Sequence, residues 1–73
     1  MEQDIVERVS AQIPNSSVKV SVEGNRALIE VVSDTFESMS RVQKQQAVYA
    51  CIDEFIQDGR LHAVTIRALS PEG

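Results

Sequence analysis

A long helical stretch with a sharp stop is the feature that most constrains this fold. Neither glycine nor proline occurs between Arg41 and Asp58, and apolar residues recur there at helical spacing, which predicts one amphipathic helix. Ser40 begins it, because Gln43 three residues later completes a capping box. Gly59 ends it, since a residue without a Cβ readily takes the left-handed conformation found beyond helix C-termini. At 1.5 Å per residue the helix is roughly 27 Å long, enough to cover a small sheet.

The apolar side of this helix predicts which side chains enter the core. Its members are Val42, Val48, Tyr49, Ile52, Phe55 and Ile56. We expect one core that joins the helix to the other elements through Val9, Val20, Ile29, Tyr49, Ile52 and Ile66. The aromatic residues Phe36, Tyr49 and Phe55 are all assigned to it. Charged or ionisable residues mark the helix ends instead, with Arg41 and Lys44 at the start and Arg60 and His62 just past the finish.

The rest of the chain divides into short elements by the period of its apolar residues. The predicted elements are a helix at 3–12, strands at 18–22 and 27–32 joined by a hairpin turn at 23–26, a short helical turn capped by Ser33 or Asp34 and reaching Met39, the long helix, a strand at 61–69 and a tail at 70–73. In the last strand His62 shares the parity of Val64 and Ile66. In the second, Leu28 and Val32 lie on the outward face, which is therefore only partly polar and suits a partner or a second copy in a homodimer.

The order of the elements predicts an α+β fold, a two-layer α-β-β-α-α-β sandwich. The third strand returns after a helical crossover, so it runs parallel to one of the first two through a right-handed connection. The result is a three-stranded mixed sheet with the helices on one face. Seventy-three residues without repeats or a linker allow a single domain over 1–73.

Composition excludes several classes of function. The formal net charge of -4 disfavours general affinity for nucleic acid, although a local basic patch remains compatible with it. No apolar run reaches the roughly 18 residues of a membrane span, so we expect no membrane association. The acidic N-terminus is unlike a secretory signal or a transit peptide. A single cysteine forms no internal disulfide. These features predict a cytoplasmic protein.

The sequence carries no enzyme motif, and His62 is its main candidate for chemistry. It contains no Gly-x-Ser-x-Gly elbow, phosphate-binding glycine loop or Cys-x-x-Cys pair, so we expect no catalysis. Cys51 lies within the long helix, where we expect it to be a small buried apolar residue. His62 is either a partly buried strand histidine with a hydrogen bond or a metal ligand. Zinc and iron–sulfur sites take about four protein ligands. Any metal on His62 would therefore need ligands from other molecules.

The start of the long helix is a second candidate site. Arg41 and Lys44 project from its first turns, where exposed backbone N–H groups already favour anions. They either contact phosphate or nucleic acid, or belong to a solvated mixed surface. No Gly-x-x-Gly loop precedes them, and the aromatic residues that would stack on bases are assigned to the core.

The same residues resemble a known family over positions 1–72. They are Phe36, Ser40-Arg41-Val42, Lys44-Gln45-Gln46, Val48-Tyr49, Arg60, His62-Ala63-Val64 and Ser70-Pro71. In type and spacing they resemble the BolA family, and more closely its IbaG branch. The resemblance implies an α-β-β-α-α-β fold similar to the class II KH fold, which agrees with the element order above.

The resemblance also implies a function. BolA-type proteins pair with monothiol glutaredoxins and share a [2Fe-2S] cluster with the glutaredoxin cysteine and glutathione. His62 corresponds to the family histidine that would be the main ligand. The family is further linked to stress responses and transcriptional control, and KH-like topology suggests the alternative of a nucleic-acid-binding regulator that uses Arg41 and Lys44.

One position departs from the family pattern. Arg26 stands in the loop between the first two strands, where the IbaG branch carries histidine as a second ligand. A guanidinium has no free lone pair for iron at neutral pH. Arg26 therefore either leaves a vacated ligand position or holds the carboxylates of glutathione by charge-assisted hydrogen bonds.

Overall fold

The computed structural model of the chain describes residues 1–72; Gly73, which ends the predicted tail and domain, lies outside the described residues. The elements are helix α1 (Glu2–Gln12), strand β1 (Ser16–Glu23), strand β2 (Arg26–Ser33), a 3₁₀ helix (Asp34–Ser38), helix α2 (Arg41–Gln57) and strand β3 (Ala63–Leu69). The predicted element order is confirmed. β1 and β2 are longer than predicted, because their pairing continues into polar ends that the alternation of apolar residues does not mark.

The three strands form one mixed sheet in the order β1-β2-β3. β1 pairs antiparallel with β2, from Ser16 opposite Ser33 to Glu23 opposite Arg26. β3 pairs parallel with β2 and begins with Ala63 opposite Arg26. The α+β fold with a three-stranded mixed sheet is therefore confirmed.

This topology gives the molecule two distinct ends. The hairpin turn and the connection from α2 to β3 meet at one end, which we call the hairpin end and define as residues 23–26 and 58–63. The start of α2 lies at the other, because α2 connects the end of β2 to the start of a parallel strand. We call that end the cap end and define it as residues 33–44.

The core lies between the helices and one face of the sheet. Val9, Ile29 and Ile52 are fully buried as predicted, and Val20 and Ile66 pack half-buried against them. Two predicted core residues are wrong: Tyr49 is 41% exposed and Val42 is 62% exposed. On the opposite face of the sheet, Leu28 and Leu69 remain exposed.

The wrong core assignments follow from the width of the buried stripe on α2. That stripe consists of Val48, Cys51, Ile52 and Phe55. At 100° per residue, Tyr49 and Val42 lie roughly 110° and 130° around the helix from its centre, on the same flank. Cys51 completes the stripe in their place, as its assignment to a small buried residue predicted.

The cap end is closed by hydrogen bonds from polar side chains. Ser33, rather than Asp34, caps the 3₁₀ helix by accepting from the Thr35 N–H at 3.2 Å. The capping box of α2 is confirmed, with Ser40 Oγ accepting from Gln43 N at 3.2 Å and Gln43 Oε1 accepting from Ser40 N at 2.9 Å. Within residues 1–72, none of the helices is both long and apolar enough to cross a membrane.

Candidate functional site

Backbone contacts fix the segment that carries His62 around the hairpin end. Gly59 has a φ of +83°, the left-handed conformation that the sequence predicts, and turns the chain out of α2. The Leu61 N–H then donates to the Phe55 carbonyl at 3.1 Å, and the Leu61 side chain is buried. Beyond it, the N–H groups of His62 and Ala63 both donate to the Asn25 carbonyl, at 2.8 and 3.3 Å. The chain is thus anchored on both sides of His62.

The predicted position of His62 in a strand is wrong. β3 begins at Ala63, and the His62 side chain is exposed. The reason is that one carbonyl, that of Asn25, accepts from both His62 and Ala63, so regular pairing starts only at Ala63. Leu61 takes the buried place instead. A partly buried strand histidine is thereby ruled out, and the imidazole is accessible to a metal held by another molecule.

The described part of the chain does not complete a metal site around His62. Among residues 1–72, no three His, Cys, Asp or Glu side chains lie close enough together to hold a metal ion. Cys51 is buried in α2, and its thiol donates to the Ala47 carbonyl at 3.3 Å. Burial raises the pKa of the Cys51 thiol, which disfavours the thiolate that binds metals. The donor set on this chain therefore fits one imidazole ligand contributed to a site completed from outside.

Arg26 is brought to the same end of the sheet as His62. It lies in β2 rather than in the turn, which Gly24 and Asn25 form with a φ of +60° at Gly24. Its partner in β3 is Ala63, the residue next to His62. The side chain is exposed, and alternation with buried Ala27 places it on the open face of the sheet. Arg26 and His62 therefore lie at the same end of two neighbouring strands. Arg26 forms no ion pair with any described residue.

Sequence reasoning missed a cluster of charged groups around Phe55. Arg60 Nε donates to Asp58 Oδ2 at 2.7 Å, and its Cζ lies over the Phe55 ring, 4.2 Å from the centroid. Hydrogen bonding from Arg60 lowers the pKa of the Asp58 carboxyl. Arg8, which is ion-paired with Glu54, lies over the same ring at 4.6 Å. The signal available in the sequence is the aspartate two residues before Arg60, since Asp side chains accept from the backbone N–H two residues on.

Arg41 and Lys44 lie at the cap end, away from His62 and Arg26. Arg41 is exposed and Lys44 is half-buried in the first turns of α2. The capping box already occupies the Gln43 N–H, which reduces the number of backbone donors open to an anion. The two candidate sites predicted from the sequence therefore stand at opposite ends of the sheet.

Comparison with known proteins places the chain in a family. The family described as BolA-like protein matches residues 4–73. The chain belongs to the BolA family. This confirms the resemblance found in the sequence.

Individual BolA-family proteins agree with this assignment. The Escherichia coli K12 acid stress protein IbaG is 46% identical over 54 residues, which cover 74% of this chain and 64% of IbaG, less than two thirds of that relative. BolA1 from Arabidopsis thaliana superposes with a TM-score of 0.86 at 20% identity, covering 97% of this chain and 92% of BolA1. The BolA domain of SufE1 from the same plant gives a TM-score of 0.85 at 22% identity, with coverage of 97% and 92%. The structural matches show a shared BolA fold.

Proposed function

We propose that this BolA-family protein is a non-enzymatic adaptor that pairs with a monothiol glutaredoxin in the cytoplasm. The two would share a [2Fe-2S] cluster, an electron-accepting group that can also be handed on to other proteins. The observation that supports this most is the exposed imidazole of His62 on a backbone anchored from both sides. The relative of this protein, IbaG, is named an acid stress protein, so we include a part in the stress response in the same proposal.

The donor chemistry supports a shared site. Neutral imidazole is a common metal ligand, whereas a cluster of this kind takes about four ligands in total. His62 would supply one, and the glutaredoxin cysteine and glutathione would supply others. The isolated protein is then expected to bind no cluster, because Cys51 is buried in α2 and disfavoured as a thiolate.

The test of this function is co-expression with a monothiol glutaredoxin, followed by visible absorption and circular dichroism of the purified complex. We expect a coloured heterocomplex whose spectrum His62→Ala alters or abolishes. Cys51→Ser is the matched control, since it removes the chain's only thiol and should leave the spectrum nearly unchanged. A spectrum that is the same with His62→Ala as with the unaltered protein would reject the proposal.

Arg26 decides how the second ligand position is used. If Arg26 only occupies the position of a missing ligand, Arg26→His restores an imidazole there and should slow the loss of cluster from the complex. If Arg26 instead binds the carboxylates of glutathione, the same change removes charge-assisted hydrogen bonds and should weaken assembly. The rate of bleaching and the glutathione concentration needed for assembly distinguish the two. No change in either would place Arg26 outside the shared site.

Nucleic-acid binding at the cap end is the alternative function. Arg41 favours it, because the side chain is exposed at a helix start and forms no ion pair with the described residues. Phosphate contacts make affinity fall steeply with salt, and removing both Arg41 and Lys44 should lower the slope by about two units. Lys19→Ala with Arg67→Ala is a matched loss of two charges on the sheet. Equal salt slopes for the two double variants would reject a specific cap-end site.

A further inference from the structure

In the connection from α2 to β3, Arg60 is held by side-chain contacts, whereas the residues before and after it are held by backbone hydrogen bonds. Before Arg60, the Gly59 N–H donates to the Ile56 carbonyl at 3.2 Å, at the end of the helix. After Arg60, the Leu61 N–H donates to the Phe55 carbonyl, and the His62 N–H donates to the Asn25 carbonyl in the neighbouring hairpin. Arg60 is the residue between these two sets of contacts, and its own N–H is bound by a side chain, at 3.1 Å from Asp58 Oδ1.

The guanidinium of Arg60 makes two further contacts, one with Asp58 and one with Phe55. Nε donates to Asp58 Oδ2 at 2.7 Å, and a terminal nitrogen lies at the same distance from that oxygen. The planar group also lies over the face of Phe55, a buried ring of the core, 4.2 Å from its centroid. A charge-assisted hydrogen bond and a cation–π contact thus tie a surface residue to both the helix end and the core.

We infer that Arg60 is a positioning residue for His62. Its guanidinium, held by Asp58 over the Phe55 ring, fixes the path of residues 59–63 so that the imidazole of His62 is presented beyond the sheet. This inference rests on the proposed function, in which His62 is the ligand. In this role Arg60 acts through its contacts with Asp58 and Phe55 and is not itself a ligand.

Lysine would not reproduce the arrangement. Its ammonium group is a point charge without the planar fork that reaches one carboxylate and stacks on a ring at the same time. Arg60→Lys should therefore keep the charge at the hairpin end but loosen the segment. This separates positioning from a simple effect of net charge on partner binding.

The chain provides a matched control in Arg8. Its guanidinium also lies over Phe55, at 4.6 Å, but it belongs to α1 and pairs with Glu54. It forms no hydrogen bond to residues 59–63 within the described chain. Arg8→Ala therefore removes a cation from the same ring and leaves the His62 segment anchored. Arg67→Ala, on the open face of β3, controls for the loss of an exposed arginine whose ion pair, with Glu30 at 3.8 Å, lies away from the His62 segment.

Hydrogen exchange in the free protein tests the inference without any cluster. In Arg60→Ala the amides of His62 and Ala63 should exchange on the order of tenfold faster, with a smaller increase in Arg60→Lys, while the amides of central β2 stay unchanged. Arg8→Ala and Arg67→Ala should stay within about twofold of the unaltered protein at the same amides. Equal exchange at His62 in Arg60→Ala and Arg8→Ala would overturn the inference.

Measurements on the complex with glutaredoxin then test whether the position of His62, set by Arg60, affects how the cluster is held. Arg60→Ala and Arg60→Lys should both lose cluster faster than Arg8→Ala and change the visible circular dichroism, with His62→Ala as the reference for a lost ligand. If His62→Ala alters the spectrum but Arg60→Ala behaves as Arg8→Ala does, positioning is rejected and the proposed function stands. If His62→Ala changes nothing, the proposed function fails, and the part of the inference that assigns His62 as the ligand fails with it.

Discussion

The cap end and the hairpin end differ in what their hydrogen bonds leave exposed. At the cap end, Ser33, Ser40 and Gln43 bond to backbone N–H groups that the start of a helix leaves unpaired. At the hairpin end, the contacts converge on the backbone around His62 and leave its imidazole exposed. The polar side chains of the cap end are used to complete helix hydrogen bonds. The hydrogen bonds of the hairpin end fix the backbone and leave the His62 side chain exposed. This difference supports the proposal that His62, at the hairpin end, is the metal ligand.

The core beneath both ends sets the scale of stability against which the comparison is measured. Ile52 is fully buried between the helices and the sheet. Ile52→Ala should lower the free energy of unfolding by ~2–5 kcal/mol, through lost burial and the cavity left behind. For a domain this small, that is a large share of the total. Urea denaturation followed by far-ultraviolet circular dichroism measures it.

Tyr49→Ala on the same helix is the control for this prediction. Its ring is 41% exposed, so the loss should stay below about 1 kcal/mol. A larger loss for Tyr49→Ala than for Ile52→Ala would mean that α2 packs through the flank that carries Val42 and Tyr49.

Local pattern was enough to predict the fold but not the width of the core stripe. The capping box at Ser40 and the left-handed Gly59 depend on residues within one turn of each other, and both are confirmed. Tyr49 and Val42 are apolar residues at helical spacing. Which of the apolar residues on α2 are buried is decided by how the helix packs against the sheet.

The site was predictable in part. The sequence identified His62 and Arg26 as candidates, and both lie at one end of the sheet. It left open whether His62 is partly buried in a strand or accessible as a ligand, because the carbonyl that stops regular pairing belongs to Asn25, distant in sequence. It missed the stacking of Arg60 on Phe55, since no period relates a residue after a helix to a ring inside it.

A change at the cap end should affect stability and not the cluster. Ser33 is fully buried, accepts from Thr35 N, and donates to the Pro14 carbonyl at 2.8 Å. Ser33→Ala should lower the free energy of unfolding by about 1–2 kcal/mol, as a lost cap and a lost buried hydrogen bond. The glutaredoxin complex should keep its spectrum. His62→Ala should show the reverse, with stability within about 0.5 kcal/mol because the side chain is exposed.

Ser17→Ala supplies the matched serine control for the cap end. Ser17 is exposed on β1, so its loss should change stability by less than about 0.5 kcal/mol. If Ser33→Ala altered the cluster spectrum while the protein stayed folded, the two ends would be coupled and the division of roles between them would be wrong.

The smallest expected effect is a difference in pH dependence between the two ends. Hydrogen bonds from the side chain and backbone of Arg60 lower the pKa of the Asp58 carboxyl, with a lesser contribution from the charge of Arg8. A carboxyl whose pKa is lower in the folded state stabilises the protein above its unfolded pKa, about 3.9, and loses that contribution as the pH falls through the folded value. The stability difference between the unaltered protein and Asp58→Asn should therefore be constant from neutral pH to about pH 5 and shrink below about pH 4. The difference for Ser33→Ala should stay flat over the same range, because the hydroxyl and backbone groups of that cap do not titrate there. Urea unfolding of the three proteins at each pH measures both curves, and an Asp58→Asn difference that vanished near pH 6 would show that the contact between Asp58 and Arg60 is not what its pKa reflects.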